Sequence, residues 1–159
     1  KFDDGKIILQ KKVKIAPDDT VIDVHRKTVH AGEKLLKRVF QFISTKNKKG
    51  EGFAQDSSLA SYYKPRTPRD GMIDWNQPAE TIRNLVRSLV DPYPGAYFYY
   101  QGKKIIVEDG VVSRESNKQP TRQGTPFTQN GKWYVQTGSG LFEIRNVRNK
   151  AGLEVFGIT

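Results

Sequence analysis

The sequence predicts an α+β protein: a strand and a long amphipathic helix, an irregular connection carrying a short second helix, and a small β-barrel, open or closed. Three observations carry this prediction. Apolar residues recur at helical spacing from residue 21 to residue 42, glycine and proline punctuate residues 46 to 74, and short alternating runs separated by glycine turns fill the chain from Ala96 onward.

Phe2-Asp-Asp-Gly5 is a turn signal, and Lys6–Ile15 reads as a half-buried strand with Ile7, Leu9, Val13 and Ile15 on one face. Ala16-Pro-Asp-Asp-Thr20 stops that strand, and Thr20 with Asp23 opens a helix in the manner of a capping box. Val21, Val24, Thr28, Ala31, Leu35, Val39 and Phe42 then line one helical face to about Ser44. Pro78 suits the first turn of a second helix, whose buried stripe is Ala79, Ile82, Val86 and Leu89 and which Asp91-Pro-Tyr-Pro-Gly95 terminates. Six strands are expected beyond it: Tyr97–Gln101, Lys104–Glu108, Val111–Arg114, Lys132–Thr137, Leu141–Val147 and Leu153–Ile158. Asn130-Gly131 and Gly138-Ser139-Gly140 are the hairpin turns.

The 159 residues include 27 basic and 17 acidic side chains, a net charge of +10, two histidines and no cysteine. Disulfide scaffolds, thiol nucleophiles and cysteine-ligated zinc or iron–sulfur sites are thereby excluded, and no metal site is expected. No apolar run approaches the roughly 18 residues of a membrane span, so the expectation is a soluble, cytoplasmic protein without a membrane partner. The positive balance favours an anionic ligand or partner, for which nucleotide phosphates and RNA both qualify. The chain opens at Lys1 inside a running strand and its one methionine is Met72, which reads as the C-terminal portion of a longer polypeptide.

Two segments could carry chemistry. Asp3 and Asp4 place carboxylates at a turn, which is ordinary turn chemistry unless a histidine partner faces one of them; His25 and His30 are poor candidates, so that partner belongs upstream. Tyr62-Tyr-Lys-Pro-Arg-Thr-Pro-Arg-Asp-Gly-Met-Ile-Asp-Trp75 combines stiffening prolines, aromatic faces and guanidinium groups suited to phosphate. Trp75 reads equally as a buried anchor or a stacking face. Arg83 and Arg87 share a helix face with Asn84 beside them, ordinarily a solvated one. For Tyr93 and Tyr97–Tyr100, core packing is favoured over a nucleic-acid platform.

In order, Phe2-Asp-Asp-Gly-Lys-Ile-Ile-Leu-Gln10, Pro17-Asp-Asp-Thr20, Tyr63-x-x-Arg66-Thr-Pro-x-Asp-Gly-x-Ile-Asp-Trp75, Pro78-Ala79, Ile82-x-Asn84-Leu-Val-Arg87 and Pro92-Tyr-Pro-Gly-Ala96 resemble the folate-dependent formyltransferases along the whole chain. The resemblance implies three parts. Residues 1–48 would end a Rossmann-like catalytic domain, 49–77 form a linker and substrate loop, and 78–159 form a helix and an OB-like open β-barrel. It implies 10-formyltetrahydrofolate as donor and Asp3 as the catalytic aspartate, with the family's Asn and His, in an Asn-x-His motif, lying before Lys1. This chain alone is then not expected to be active. Asp4 and Gly5 would meet the donor, and Tyr63, Arg66, Thr67, Trp75 and Arg87 the acceptor. The motifs around Arg66 and Asp91 favour the nucleotide-sugar N-formyltransferases, whose amino-sugar product is destined for a surface polysaccharide. The alternative is methionyl-tRNA formyltransferase, with the basic barrel on tRNA. A homodimer is compatible with either.

Overall fold

In the computed structural model, which describes residues 4–46, 52–115 and 122–157, the chain divides into two compact units at Pro65–Arg66. In the first, the Thr20 hydroxyl and amide bond Asp23 Oδ2 at 2.6 and 2.9 Å while the Asp23 amide returns a bond to Thr20 Oγ1 at 3.3 Å. That reciprocal cap starts α1, Val21–Lys46. These bonds, chiefly the Thr20 hydroxyl, hold the Asp23 carboxyl below its usual range. Lys27 pairs with Asp19 just before the helix. On the expected face Ala31 is buried and Val21, Val24, Leu35, Val39 and Phe42 are half-buried, but Thr28 is exposed. A second apolar stripe, Val29, Leu36, Phe40 and Ile43, stands 49 to 68% exposed.

The strand expected over Lys6–Ile15 is not formed. Ile7 makes an antiparallel bridge with Phe53, both bonds at 2.9 Å, and the rest of the segment is extended without a ladder. A strand requires a neighbour to accept its backbone groups, and the described residues supply only this one bridge.

The second unit is a five-stranded antiparallel sheet of order β1-β2-β5-β4-β3, where β1 is Ala96–Tyr100, β2 Lys103–Ser113, β3 Pro126–Gln129, β4 Lys132–Gln136 and β5 Leu141–Val147. Among the described residues no ladder joins the edge strands β1 and β3. α2, Ala79–Arg87, begins after Pro78 and buries Ala79, Ile82 and Val86 in the core beside Leu89, as the stripe predicts. Each large aliphatic side chain so buried contributes about 1.5–3 kcal/mol.

Three expectations are corrected here. Lys104–Glu108 and Val111–Arg114 are one strand: β2 pairs with β1 through Val107, then with β5 from Val107 to Ser113, turning at a bulge across Asp109. The gap Asp109-Gly110 between the two expected strands reads as a break, yet Gly110 lets the strand pass, because a Cβ there would lie 2.3 Å from Phe142 Cζ. Leu153–Ile158 is not a strand. Lys150–Phe156 is α3, following Asn149, whose carbonyl accepts the Gly152 and Leu153 amides, and ending at Gly157 with φ +60°; Ile158 lies outside the described residues. β3 was not expected at all, being four residues that open on a proline, which only an edge strand tolerates. Among the described residues, five strands and a helix therefore stand in place of the six expected strands.

Arg148 ties this unit together. Its Nε and Nη2 reach the Glu108 carboxylate at 2.5 and 3.4 Å, and Nη1 donates to Tyr93 O at 2.6 Å, so one half-buried guanidinium joins β2 to the turn after α2. Arg148→Ala is expected to lower the urea midpoint, at unchanged m, by an amount equivalent to about 2–3 kcal/mol. Arg148→Lys should recover only part of it, since an ammonium lacks the planar fork.

Candidate functional site

The distinctive loop closes into a hydrogen-bonded turn at Thr67. Its amide and hydroxyl donate to Asp70 Oδ2 at 2.5 and 3.0 Å, closing a capping box around the short 3-10 turn Pro68–Gly71. These bonds, the amide first, hold the Asp70 carboxyl below its usual range. Gly71 presses backbone to backbone on the turn that follows α2, where an added Cβ would stand 2.8 Å from Gly95 O. The chain then follows the edge of β1, the Ile73 amide donating to Tyr97 O at 2.7 Å. Arg66 thus sits at the head of a fixed turn, exposed together with Thr67.

Trp75 is an anchor. Its ring meets Phe98 edge-on at 5.1 Å and Phe142 at 6.0 Å, and its carbonyl accepts the Gly138 amide at 2.9 Å. It also lines a cavity of about 640 Å³ with Met72, Ile73 and the loop Arg122–Gly124. Arg87 lies on α2, its Nε donating to Asn84 Oδ1 at 2.7 Å, on the expected common face; Arg83 pairs with Glu80 at 3.4 Å.

The remaining predicted residues fall in the first unit or beyond description. Tyr63 is 90% exposed. Asp4 and Gly5 are exposed at the bend before Ile7, with Gly5 O accepting Gln55 Nε2 at 2.8 Å and open space where a Gly5 Cβ would stand. Asp3 lies outside the described residues. His25 is exposed, and His30 stands 3.7 Å from Glu33 on the same helix. Among the described residues no group of three or more His, Asp or Glu could hold a metal ion, and no helix is long and apolar enough to cross a membrane.

In the aromatic run, alternation places Phe98 and Tyr100 against Phe156 in the core. Tyr97 and Tyr99 meet edge-on at 5.9 Å, with Lys104 Nζ 3.9 Å over the Tyr97 ring. Sequence reasoning marked Gly138 only as part of a turn and missed Arg148 and Asn149. No local pattern marks these two, because each acts on a segment distant in sequence.

Residues 66–155 match the family described as formyl transferase, C-terminal domain. The chain belongs to that family. The formyl transferase C-terminal domain therefore covers nearly all of the second unit, from Arg66 on. Bifunctional polymyxin resistance protein ArnA of Wigglesworthia glossinidia brevipalpis is 41% identical over 160 residues, 97% of this chain and 24% of that protein. The chain thus spans about a quarter of the length of this relative. Among solved structures, a variant of HypX from Aquifex aeolicus superposes with a TM-score of 0.64 at 16% identity over 99% of this chain and 29% of its own. HypX in complex with tetrahydrofolic acid gives 0.52 at 18% identity over 79% of this chain and 22% of its own. At such identities these structures speak to the fold, a mixed α/β arrangement around an antiparallel sheet.

Proposed function

We propose that the chain is the C-terminal part of an N-formyltransferase that moves a formyl group from 10-formyltetrahydrofolate to the primary amine of a nucleotide-linked amino sugar. The observation that carries this is the identity to ArnA over almost the whole chain, inside a formyl transferase family. In this reading residues 1–48 close a Rossmann-like catalytic domain, 49–77 form the linker and acceptor loop, and 78–159 form an OB-like barrel. The uncovered stripe Val29, Leu36, Phe40 and Ile43 supports it, being the surface such a domain would bury. The bound tetrahydrofolic acid named for HypX supports the donor.

The donor supplies an electrophilic formyl carbon. Asp3 orients an imidazole contributed by preceding polypeptide; that imidazole takes the proton the acceptor amine loses as its nitrogen bonds to the formyl carbon, and the formyl carbon–N10 bond then breaks, releasing tetrahydrofolate with a proton on N10. Asp4 and Gly5, exposed at the bend, border the donor. On the acceptor side, Tyr63 and Arg66 offer exposed faces, Thr67 fixes the turn behind Arg66, Trp75 anchors the loop and Arg87 adds charge. The enzyme works in the cytoplasm on a precursor of a surface polysaccharide.

The test is formyl transfer by the full-length enzyme with a UDP-linked amino sugar and, separately, with methionyl-tRNA. The sugar is expected to be formylated, and Asp3→Asn is expected to reduce turnover on the order of 100-fold or more, the scale of losing an oriented acid–base group. Turnover within a few-fold of wild type removes Asp3 from catalysis. Transfer to the tRNA alone favours the second reading, for which the net charge of +10 is the argument.

A further inference from the structure

We propose that Asp70 is a positioning residue for the acceptor: the turn it closes aims Arg66, and its loss weakens acceptor binding without slowing the transfer step. The proposal rests on the reading of Arg66 as an acceptor residue and adds the group that places it.

The turn is fastened at its far end. Beyond Asp70, the Met72 amide donates to Arg69 O at 3.0 Å and the Ile73 amide to Tyr97 O at 2.7 Å, which ties the chain to the edge of β1. A Cβ on Gly71 would stand 2.8 Å from Gly95 O and 3.7 Å from Tyr97 Cδ1, so the backbone there has no room to shift. Arg66 has no such tie. Among the described residues it makes no hydrogen bond or ion pair. Its link to the fastened end is Thr67, whose amide and hydroxyl both donate to Asp70 Oδ2, at 2.5 and 3.0 Å, while the Asp70 amide donates to Thr67 O at 3.0 Å. These three bonds hold Thr67 extended, with φ −109° and ψ 163°, and those angles set the direction in which Arg66 leaves the turn. A guanidinium on a loose segment would have to be ordered by the acceptor itself, whereas a fixed base leaves only the side-chain rotamers to order.

The sign of the charge separates this role from an electrostatic one. Asp70 stays ionised, its carboxyl held below the usual range by the Thr67 amide first, then by the Thr67 hydroxyl, with the charge on Arg66 a smaller contribution. No ion pair joins the two side chains among the described residues, so the guanidinium keeps its donors for a ligand. A carboxylate this near nevertheless opposes an anionic acceptor, and removing its charge alone would tighten binding. Weaker binding on loss of Asp70 therefore reports the lost turn and not the lost charge.

The experiment is steady-state formyl transfer by the full-length enzyme, with a UDP-linked amino sugar varied at saturating 10-formyltetrahydrofolate. The variants are Asp70→Ala, Asp70→Asn, Arg66→Ala and the double variant Arg66→Ala with Asp70→Ala. Asp70→Ala is expected to raise the acceptor KM about tenfold, the scale of one misplaced charged hydrogen bond, with kcat and the donor KM unchanged. Asp70→Asn offers an amide oxygen to the same two Thr67 donors, and its acceptor KM is expected at or below that of wild type. Arg66→Ala should raise the acceptor KM at least as far as Asp70→Ala does. Adding Asp70→Ala to it should change the KM by less than about twofold, because a residue that acts through Arg66 then has nothing left to place. The proposal is overturned if Asp70→Ala leaves the acceptor KM unchanged or lowers it, if kcat falls to the same extent, if Asp70→Asn behaves like Asp70→Ala, or if the two losses multiply in the double variant. A raised KM in Arg66→Ala beside an unchanged one in Asp70→Ala would sink this inference alone. No transfer to the sugar by the wild-type enzyme, or an unchanged KM in Arg66→Ala, would sink the acceptor reading and this inference with it.

Discussion

Gly138→Ala is expected to cost the second unit about 4 kcal/mol, a larger loss than any single hydrogen bond in it could account for. A Cβ at this position would stand 1.8 Å from the carbonyl oxygen of Asn76 and 2.6 Å from its carbon, and both are backbone atoms that cannot swing aside as a side chain would. The Gly138 amide donates to Trp75 O at 2.9 Å and Gln77 O at 3.1 Å, so relieving the clash also breaks the bonds that dock the 75–77 segment. Overpacking costs typically 1–3 kcal/mol, and each lost bond about 0.5–1.5 kcal/mol. Urea unfolding followed by far-ultraviolet circular dichroism measures the change. A midpoint within error of wild type would mean that the segment is not held by this approach.

Trp75→Ala is expected to cost about 3 kcal/mol, the low end of the range for emptying an aromatic site, since the side chain is half-buried. The indole fills the space between Phe98 and Phe142, the latter fully buried, and carries the backbone of Gly124 on its face. The vacated volume cannot collapse cheaply, since Gly124 offers no side chain to fill it. Trp75→Phe keeps part of the edge contact and should recover about half the loss. Thermal unfolding of both variants measures this. If Trp75→Ala unfolds within a few degrees of wild type, the residue belongs to the surface.

The helices were legible because their signal is local. Thr20 and Asp23 cap within one turn, and Ala79, Ile82, Val86 and Leu89 declare a face by spacing alone. β5 matches its expected span of Leu141–Val147, and Asn130-Gly131 turns β3 into β4 with φ of 52° and 73°. What failed depended on partners. Lys6–Ile15 has the alternation of a strand but only one bridge to make. Glu108-Asp109-Gly110 has the composition of a turn, and only Phe142 packed over Gly110 explains why the strand continues. Val155 and Phe156 carry strand propensity, yet the positive φ at Gly157 closes a helix around them. In the candidate site, Pro65 and Pro68 marked a stiffened irregular loop, but the capping turn that Thr67 and Asp70 close within it was not foreseen.

The path of β2 has a practical corollary. Val107 faces Ala96 on one side and Val147 on the other, so a single residue is held from both flanks. The sheet consequently has no seam along which it could be parted into self-sufficient hairpins. Anyone wishing to split the domain into reassociating fragments, or to relocate its termini, should cut at Asn130-Gly131, where only an exposed corner is lost, and leave residues 103–113 whole.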